Sequence, residues 1–346
     1  SMFPEADIYT TFYRPERITS VITQRTVVTS ALQRLPKVDR YYRHLLPFYP
    51  FAARSLEHAV YLNSFPAKYD LVLSVSHCLA KNVDVPRGTF HLCYCLTPMR
   101  YIWDQYDAYF SQHPAEPLIR GVAAGLRRWD YAASKNVDHF VGISDFVRER
   151  IRRVYGRGAD VIYPPVRSDW IAPREPEEKG EGFLCVSALV PYKNVDKIVR
   201  AFNLLPYKLT IVGSGPERAK LAKIAGDNVA FLSGVPDREL AALYRRSRAM
   251  VFAAEEDFGM TPVEMQAAGR PVICYGKGGS LETVSVDHRA PTGVYFHDLA
   301  PESIAQAVED FLSREESFTV ENCVKHAEKF SPRSFKTMLV ELFDSL

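Results

Sequence analysis

Short apolar runs of four or five residues alternate along the chain with longer stretches whose apolar positions recur every three or four residues. The first pattern suits strands buried on both faces, and the second suits amphipathic helices packed against them. Strands are predicted at Ala6–Tyr9, Leu71–Ser74, His91–Cys95 and His139–Ile143. Further strands are predicted at Phe183–Ser187, Lys208–Val212, Val229–Leu232, Ala249–Ala253, Pro271–Cys274 and Gly293–Phe296. Helices are predicted at Pro117–Ser134, Ser144–Tyr155, Asn194–Asn203, Glu217–Ala225, Asp237–Ser247 and Pro262–Ala268, and the chain closes in helix over Ile304–Leu312 and Ser331–Phe343. This alternation predicts an α/β architecture with parallel sheets.

The length of 346 residues suits two domains. Tyr163–Val166, followed by the Pro-, Gly- and charge-rich Pro173–Gly182, marks the boundary. The expected division is 1–165, 166–328 and a closing helical segment, 329–346, that returns toward the first domain. Two doubly wound domains facing a cleft would bind ligands outside the carboxyl ends of their strands. No apolar run approaches the ~20 residues that span a bilayer, and no secretory signal is seen. Six cysteines lie scattered in strand-like runs without metal-site spacing, which reads as buried thiols of a cytoplasmic protein. The net charge of +2 divides unevenly. Residues 1–165 carry 21 Lys+Arg against 15 Asp+Glu, and residues 166–346 carry 22 against 26. An excess of this size reads first as solvated surface, and no nucleic-acid partner is expected.

The chemistry concentrates in Glu255–Val272, EEDFGMTPVEMQAAGRPV. Glu256 and Glu264 stand eight residues apart around a predicted helix start, with Thr261 placed to cap it, Pro262 at the first helical position and Glu264 at the third. A helix start favours an anion through its free amides and dipole. Carboxylates beside it make sense if the ligand brings hydroxyls as well as phosphate. Alternatively, Glu264 only completes a capping box with Thr261, and Glu256 is a solvated loop acid. Two Gly-rich strand-to-helix turns, IVGSGPERAKL (Ile211–Leu221, with Gly215) and CYGKGGSLETV (Cys274–Val284, its helix capped by Ser280), let backbone approach a ligand closely. Lys193, in LVPYKNVDK, offers a point charge for a leaving phosphate.

These segments, with FLSGVPDRELAALYRRSRAMVF and the closing HAEKFSPRSF, resemble glycosyltransferase family four, a retaining family of GT-B fold. The Glu256–Glu264 pair matches its Glu-x7-Glu motif. SVSHCLAK, CYCLTPMRYIWDQY and YGRGADVIYPPV are similar to the bacterial mannosyltransferase-like subgroup that builds O-antigen and related surface polysaccharides. The resemblance implies that Glu256 contacts the transferred hexose, that Lys193 stabilises the diphosphate and that Glu264 bonds the ribose hydroxyls. It implies backbone contacts to the donor from Phe258, Gly259, Met260 and Thr261, and a nucleobase near Val235. His77 and Arg100, at strand ends of the first domain, are candidates for acceptor or donor contact. The implied donor is a nucleotide sugar, GDP-mannose first, and the acceptor a glycan or polyprenyl-linked oligosaccharide. No cofactor is expected beyond that co-substrate. No metal is expected either, since the chain has no Asp-x-Asp.

Three departures accompany the resemblance. Ala188 stands where the family's lysine has an arginine partner, and Leu96 where many relatives carry histidine. The first strand of the first domain and its Gly-rich loop, which would precede FPEADIYTTFY, are expected to be lacking. The first and third motivate an alternative, a catalytically weak or inactive sugar-nucleotide-binding scaffold. A nicotinamide dehydrogenase is disfavoured, because IVGSGPERAKL lacks the third glycine of a dinucleotide fingerprint. Arg40–Arg54, RYYRHLLPFYPFAAR, mixes aromatic and cationic residues that suit an anionic membrane surface, but Pro47 and Pro50 interrupt it, and two short helices packed on the sheet are the first expectation. The expected location is cytoplasmic, peripheral to the inner face of the plasma membrane.

Overall fold

A computed structural model describes residues 2–346 except 19, 37, 39–41, 65–68, 112, 172 and 174–179. Most of the predicted linker Pro173–Gly182, and residues 40 and 41 of the aromatic-cationic segment, therefore lie outside the described residues. The chain forms two compact units, Ser1–Ile143 with Val147–Val161, and Ser144–Phe146 with Ile162–Leu346. Residues 329–346 count with the second unit.

The second unit is built on a six-stranded sheet in the order β12-β11-β10-β7-β8-β9. Its strands are β7 (Phe183–Val186), β8 (Leu209–Val212), β9 (Val229–Leu232), β10 (Ala249–Phe252), β11 (Val272–Tyr275) and β12 (Gly293–Phe296), and every pairing is parallel. Both faces of the central strands β7, β10 and β11 are covered, which is why they read as unbroken apolar runs, whereas the edge strand β9 exposes Ala230 and Leu232. On β7, Phe183 and Cys185 enter a cluster with Phe202 and Phe311, while Leu184 between them enters the opposite cluster with Tyr244 and Met265. The order runs outward from β7 through β8 and β9, and from β10 through β11 and β12 on the other side. The reversal between β7 and β10 is the switch point at which doubly wound sheets bind ligands.

The first unit has a parallel sheet β3-β4-β5-β6, of Leu71–Ser76, Phe90–Cys95, His139–Gly142 and Asp160–Val161. A separate parallel pair joins β1 (Ile8–Thr10) to β2 (Val27–Thr29). Among the described residues no strand bridges the two sheets. The strands β2 and β6 have three and two residues, too short to give a period. The aromatic-cationic segment forms a 3-10 helix, Tyr42–Phe48, that runs into one helix of 15 residues, Tyr49–Asn63. Pro50 lies in its first turn, where a missing N–H costs nothing, so the expected pair of helices is present, and the second is longer than expected. The helix Val320–Glu328 was also unforeseen.

One buried polar network organises the loop after β4. Lys81 Nζ donates to Asp130 Oδ1 at 2.7 Å and Asn82 Oδ1 at 2.8 Å, while Asp130 Oδ2 accepts from Trp103 Nε1 at 2.8 Å and Tyr155 Oη at 2.9 Å. Lys81 and Asp130 are almost wholly buried, so each needs the other. The six cysteines are free, buried thiols. Among the described residues no helix is long and apolar enough to cross a membrane.

Candidate functional site

The geometry follows from the switch point. After β7 the chain turns through a short 3-10 segment, Pro191–Lys193, into the helix Val195–Phe202. Asn194 holds the junction in the left-handed region, at φ 55°, which asparagine tolerates better than most residues. Its amide donates to the Ala253 carbonyl at 3.0 Å, just past β10. That bond ties the loop after β7 to the loop after β10, and Lys193 Nζ pairs with the Glu256 carboxylate. The two side chains are 17% and 20% exposed, open enough for a ligand to exchange with either partner.

The loop from β10 leads to Gly259, at φ 92°, and then to the helix Met260–Ala267. A side chain would be strained at that φ, so a glycine is required there. The sequence placed Thr261 at the cap and Glu264 third. The structure corrects both: Gly259 is the cap, no side chain caps the helix, and Glu264 is its fifth residue. Glu264 therefore reaches no orphan amide, and the capping box does not form. Its carboxylate instead accepts from Tyr244 Oη at 2.7 Å, across from the helix Asp237–Arg246. Phe258 is buried, its ring 6.0 Å from that of Tyr163 and 5.4 Å from that of Phe330. Its side chain is thus taken up by packing. Met260 is half exposed and Thr261 is half-buried.

The Gly-rich loop after β11 supports this turn from behind. Gly279 N–H donates to the Glu256 carbonyl at 2.8 Å, and a Cβ on Gly279 would stand 2.4 Å from Phe258 Cα. Ser280 opens the following helix, whose cap is Gly279, without a side-chain bond. Ser144 Oγ donates to the Asp257 carbonyl at 2.5 Å, and Glu282 accepts from the amides of Asp145 and Phe146 at 2.7 and 3.0 Å. Gly215 is pressed against the loop after β7, where a Cβ would lie 2.3 Å from the Leu189 carbonyl oxygen. Packing of one loop on another thus accounts for it. Val235 packs on the cluster holding Tyr244 and Trp170. In the first unit, His77 is exposed just past β3, and Arg100 is half-buried in the loop after the neighbouring β4. The two stand at the carboxyl ends of adjacent strands. Among the described residues no group of three or more His, Cys, Asp or Glu is placed to hold a metal ion.

Burial raises the Glu264 pKa above the ordinary carboxylate range, the Tyr244 hydrogen bond opposes that rise, and Asp237 adds to it. A carboxyl whose folded pKa is raised costs stability when ionised, and the cost disappears as pH falls below its unfolded value. Glu264→Gln, which can still accept from Tyr244, is therefore expected to melt higher than wild type at pH 7. The difference should shrink on acidification from the raised value through the ordinary carboxylate range, as differential scanning calorimetry across pH would record.

Sequence reasoning missed Tyr244, Asn194, Ser144 and Glu282. Tyr244 lies on the apolar face of its helix and reads as core. The other three act through contacts between distant loops, which leave no local pattern.

Two parallel, Rossmann-like units of this kind define the GT-B fold of nucleotide-sugar enzymes. Solved structures agree at the level of fold. Sucrose-phosphate synthase from Thermosynechococcus elongatus superposes with a TM-score of 0.72 at 18% identity, over 99% of this chain and 88% of that one. Anabaena Alr3699/HepE, in complex with UDP and glucose, gives 0.65 at 15% identity, over 94% and 89%. Residues 166–330 match the family described as glycosyl transferases group 1. That match lies in the second unit and, with the relatives below, agrees with the resemblance to family-four glycosyltransferases read from the motifs. It is 32% identical over 203 residues to the GDP-mannose-dependent alpha-(1-6)-phosphatidylinositol monomannoside mannosyltransferase of Mycolicibacterium smegmatis, covering 49% of this chain and 52% of that protein. It is 32% identical over 152 residues to the O-antigen chain mannosyltransferase RfbU of Salmonella typhimurium, covering 40% and 42%. The chain spans about half the length of the curated relatives it matches.

Proposed function

We propose that this protein is a retaining hexosyltransferase that moves mannose from GDP-mannose to a glycan or polyprenyl-linked oligosaccharide, without a metal ion. The observation that carries the reading is the Lys193–Glu256 ion pair beside a helix start that no side chain caps. Cleaving a sugar–phosphate bond develops negative charge on the diphosphate and positive charge at the anomeric carbon. Lys193 and the first-turn amides of Met260–Ala267 stabilise the first charge, and the Glu256 carboxylate stabilises the second. The acceptor hydroxyl attacks from the face the diphosphate leaves, and a phosphate oxygen takes its proton, so configuration is retained. Glu264 holds the ribose. His77 and Arg100 serve the acceptor side. Phe48 and Phe51, 55% and 56% exposed at the start of the helix Tyr49–Asn63, suit peripheral contact with the inner membrane face.

Ala188 supports a second reading, because it leaves the place of the lysine's usual cationic partner uncharged. A scaffold would bind nucleotide without turnover. The test is a panel of GDP-, UDP-, TDP- and ADP-sugars, each followed by thermal shift and by release of nucleoside diphosphate, with and without EDTA. A ligand at ~100 times its Kd should add ~2.7 kcal/mol of stability. The proposal predicts a shift and EDTA-insensitive release with GDP-mannose. A shift without release from any donor supports the scaffold, and no shift with any donor defeats both readings.

A further inference from the structure

We infer that Tyr244 is the positioning residue for Glu264, and that the Tyr244–Glu264 pair makes the site prefer ribonucleotides to 2′-deoxyribonucleotides. The inference rests on the reading of Glu256–Glu264 as a sugar-nucleotide site. Tyr244 is fully buried in the cluster that holds Leu184, Met265 and Cys274, with the Trp170 ring 6.1 Å away. A buried ring of this kind has little rotational freedom, so its hydroxyl is a fixed donor. That hydroxyl sits 2.7 Å from Glu264 Oε2. Among the described residues the Glu264 carboxylate makes no other hydrogen bond. The carboxylate has about four acceptor positions, so one oxygen is anchored while the rest of its acceptor capacity remains available.

A ribose presents two neighbouring hydroxyl donors, and a carboxylate held in one plane accepts both. A 2′-deoxyribose offers one and leaves the other lone pair without a partner. The same anchored carboxylate opposes a phosphate in that place, which directs the phosphate end of the ligand toward Lys193 and the helix start. Without the tyrosine hydroxyl the carboxylate would turn about its last two bonds, and each ligand hydrogen bond would first have to order it.

The test uses Tyr244→Phe, which keeps the ring and its packing and removes one oxygen. Dissociation constants are measured by calorimetry for GDP and 2′-deoxy-GDP, with UDP and 2′-deoxy-UDP alongside. Wild type should favour the ribonucleotide by about tenfold, the scale of one hydrogen bond to a charged group. Tyr244→Phe should lose most of that preference by weakening the ribonucleotide alone. In a Glu264→Gln background the tyrosine substitution should change the preference no further. A Tyr244→Phe protein that weakens both sugars equally, or keeps the full wild-type preference, overturns the inference. Wild type that binds the nucleotides with no ribose preference overturns it too, while leaving the donor site standing. Wild type that binds none of the four removes the site reading itself.

Discussion

Glu256→Gln is expected to lower turnover by ~10²–10³-fold, the scale of removing one preorganised charge-stabilising group, while binding of GDP becomes tighter. The two effects have opposite signs because Glu256 has two partners in succession. Without ligand its carboxylate is paired with Lys193, and a diphosphate must take that lysine away. A neutral glutamine holds the lysine less strongly, so the product nucleotide binds against less competition. The same glutamine stabilises developing positive charge at the anomeric carbon poorly, so the chemical step slows. Lys193→Ala should instead lose both properties, since the diphosphate loses its cation and an unpaired Glu256 repels it. Calorimetry with GDP and the rate of GDP release separate the two variants. Weakened GDP binding in Glu256→Gln would show that the ion pair does not compete with the ligand.

Asp130→Ala is expected to destabilise the first unit by ~3–5 kcal/mol, the usual cost of stripping a buried charge of its partner. It leaves the Lys81 ammonium buried with the Asn82 oxygen and a backbone carbonyl as acceptors, and it orphans the donors of Trp103 and Tyr155. Lys81→Met should cost less, because Asp130 keeps two donors in Trp103 and Tyr155. The Lys81→Met/Asp130→Leu pair should lose far less than the sum of the singles, since no buried charge is left unpaired. Urea unfolding followed by tryptophan fluorescence reads the effect, because Trp103 reports on the network directly. A loss of under ~1 kcal/mol in Asp130→Ala would mean that water reaches Lys81.

The central strands of the second unit were legible because they are buried on both faces, while the edge strand Val229–Leu232, with Ala230 and Leu232 exposed, was legible from its apolar run alone. Phe183, Leu184 and Cys185 all had to be apolar, and such runs stand out from the sequence around them. Val229–Leu232 and Gly293–Phe296 appear at their predicted limits. The strands β2 and β6 were not legible, since so few residues carry no periodicity. The helix start at the site was misread by two residues. Thr-Pro is a strong local signal for a cap and first position, but left-handed Gly259 begins the helix sooner. The meeting of Lys193 and Glu256 depends on which strands are neighbours. Their loops follow β7 and β10, which are far apart in sequence and paired in the sheet. Sequence could name both residues through the family motif, yet only the strand order shows that they form an ion pair. Glu264 was assigned a ligand through that motif, but the tyrosine that holds it reads as ordinary core.

The most direct test of the donor site is calorimetric titration of GDP-mannose into wild type, Lys193→Ala and Glu264→Gln. A sugar-nucleotide site built from these residues predicts saturable one-to-one binding to wild type, weakened about tenfold or more in each variant, the scale of one charge-assisted contact. Binding of equal strength in all three proteins would place the nucleotide sugar elsewhere and contradict the assignment.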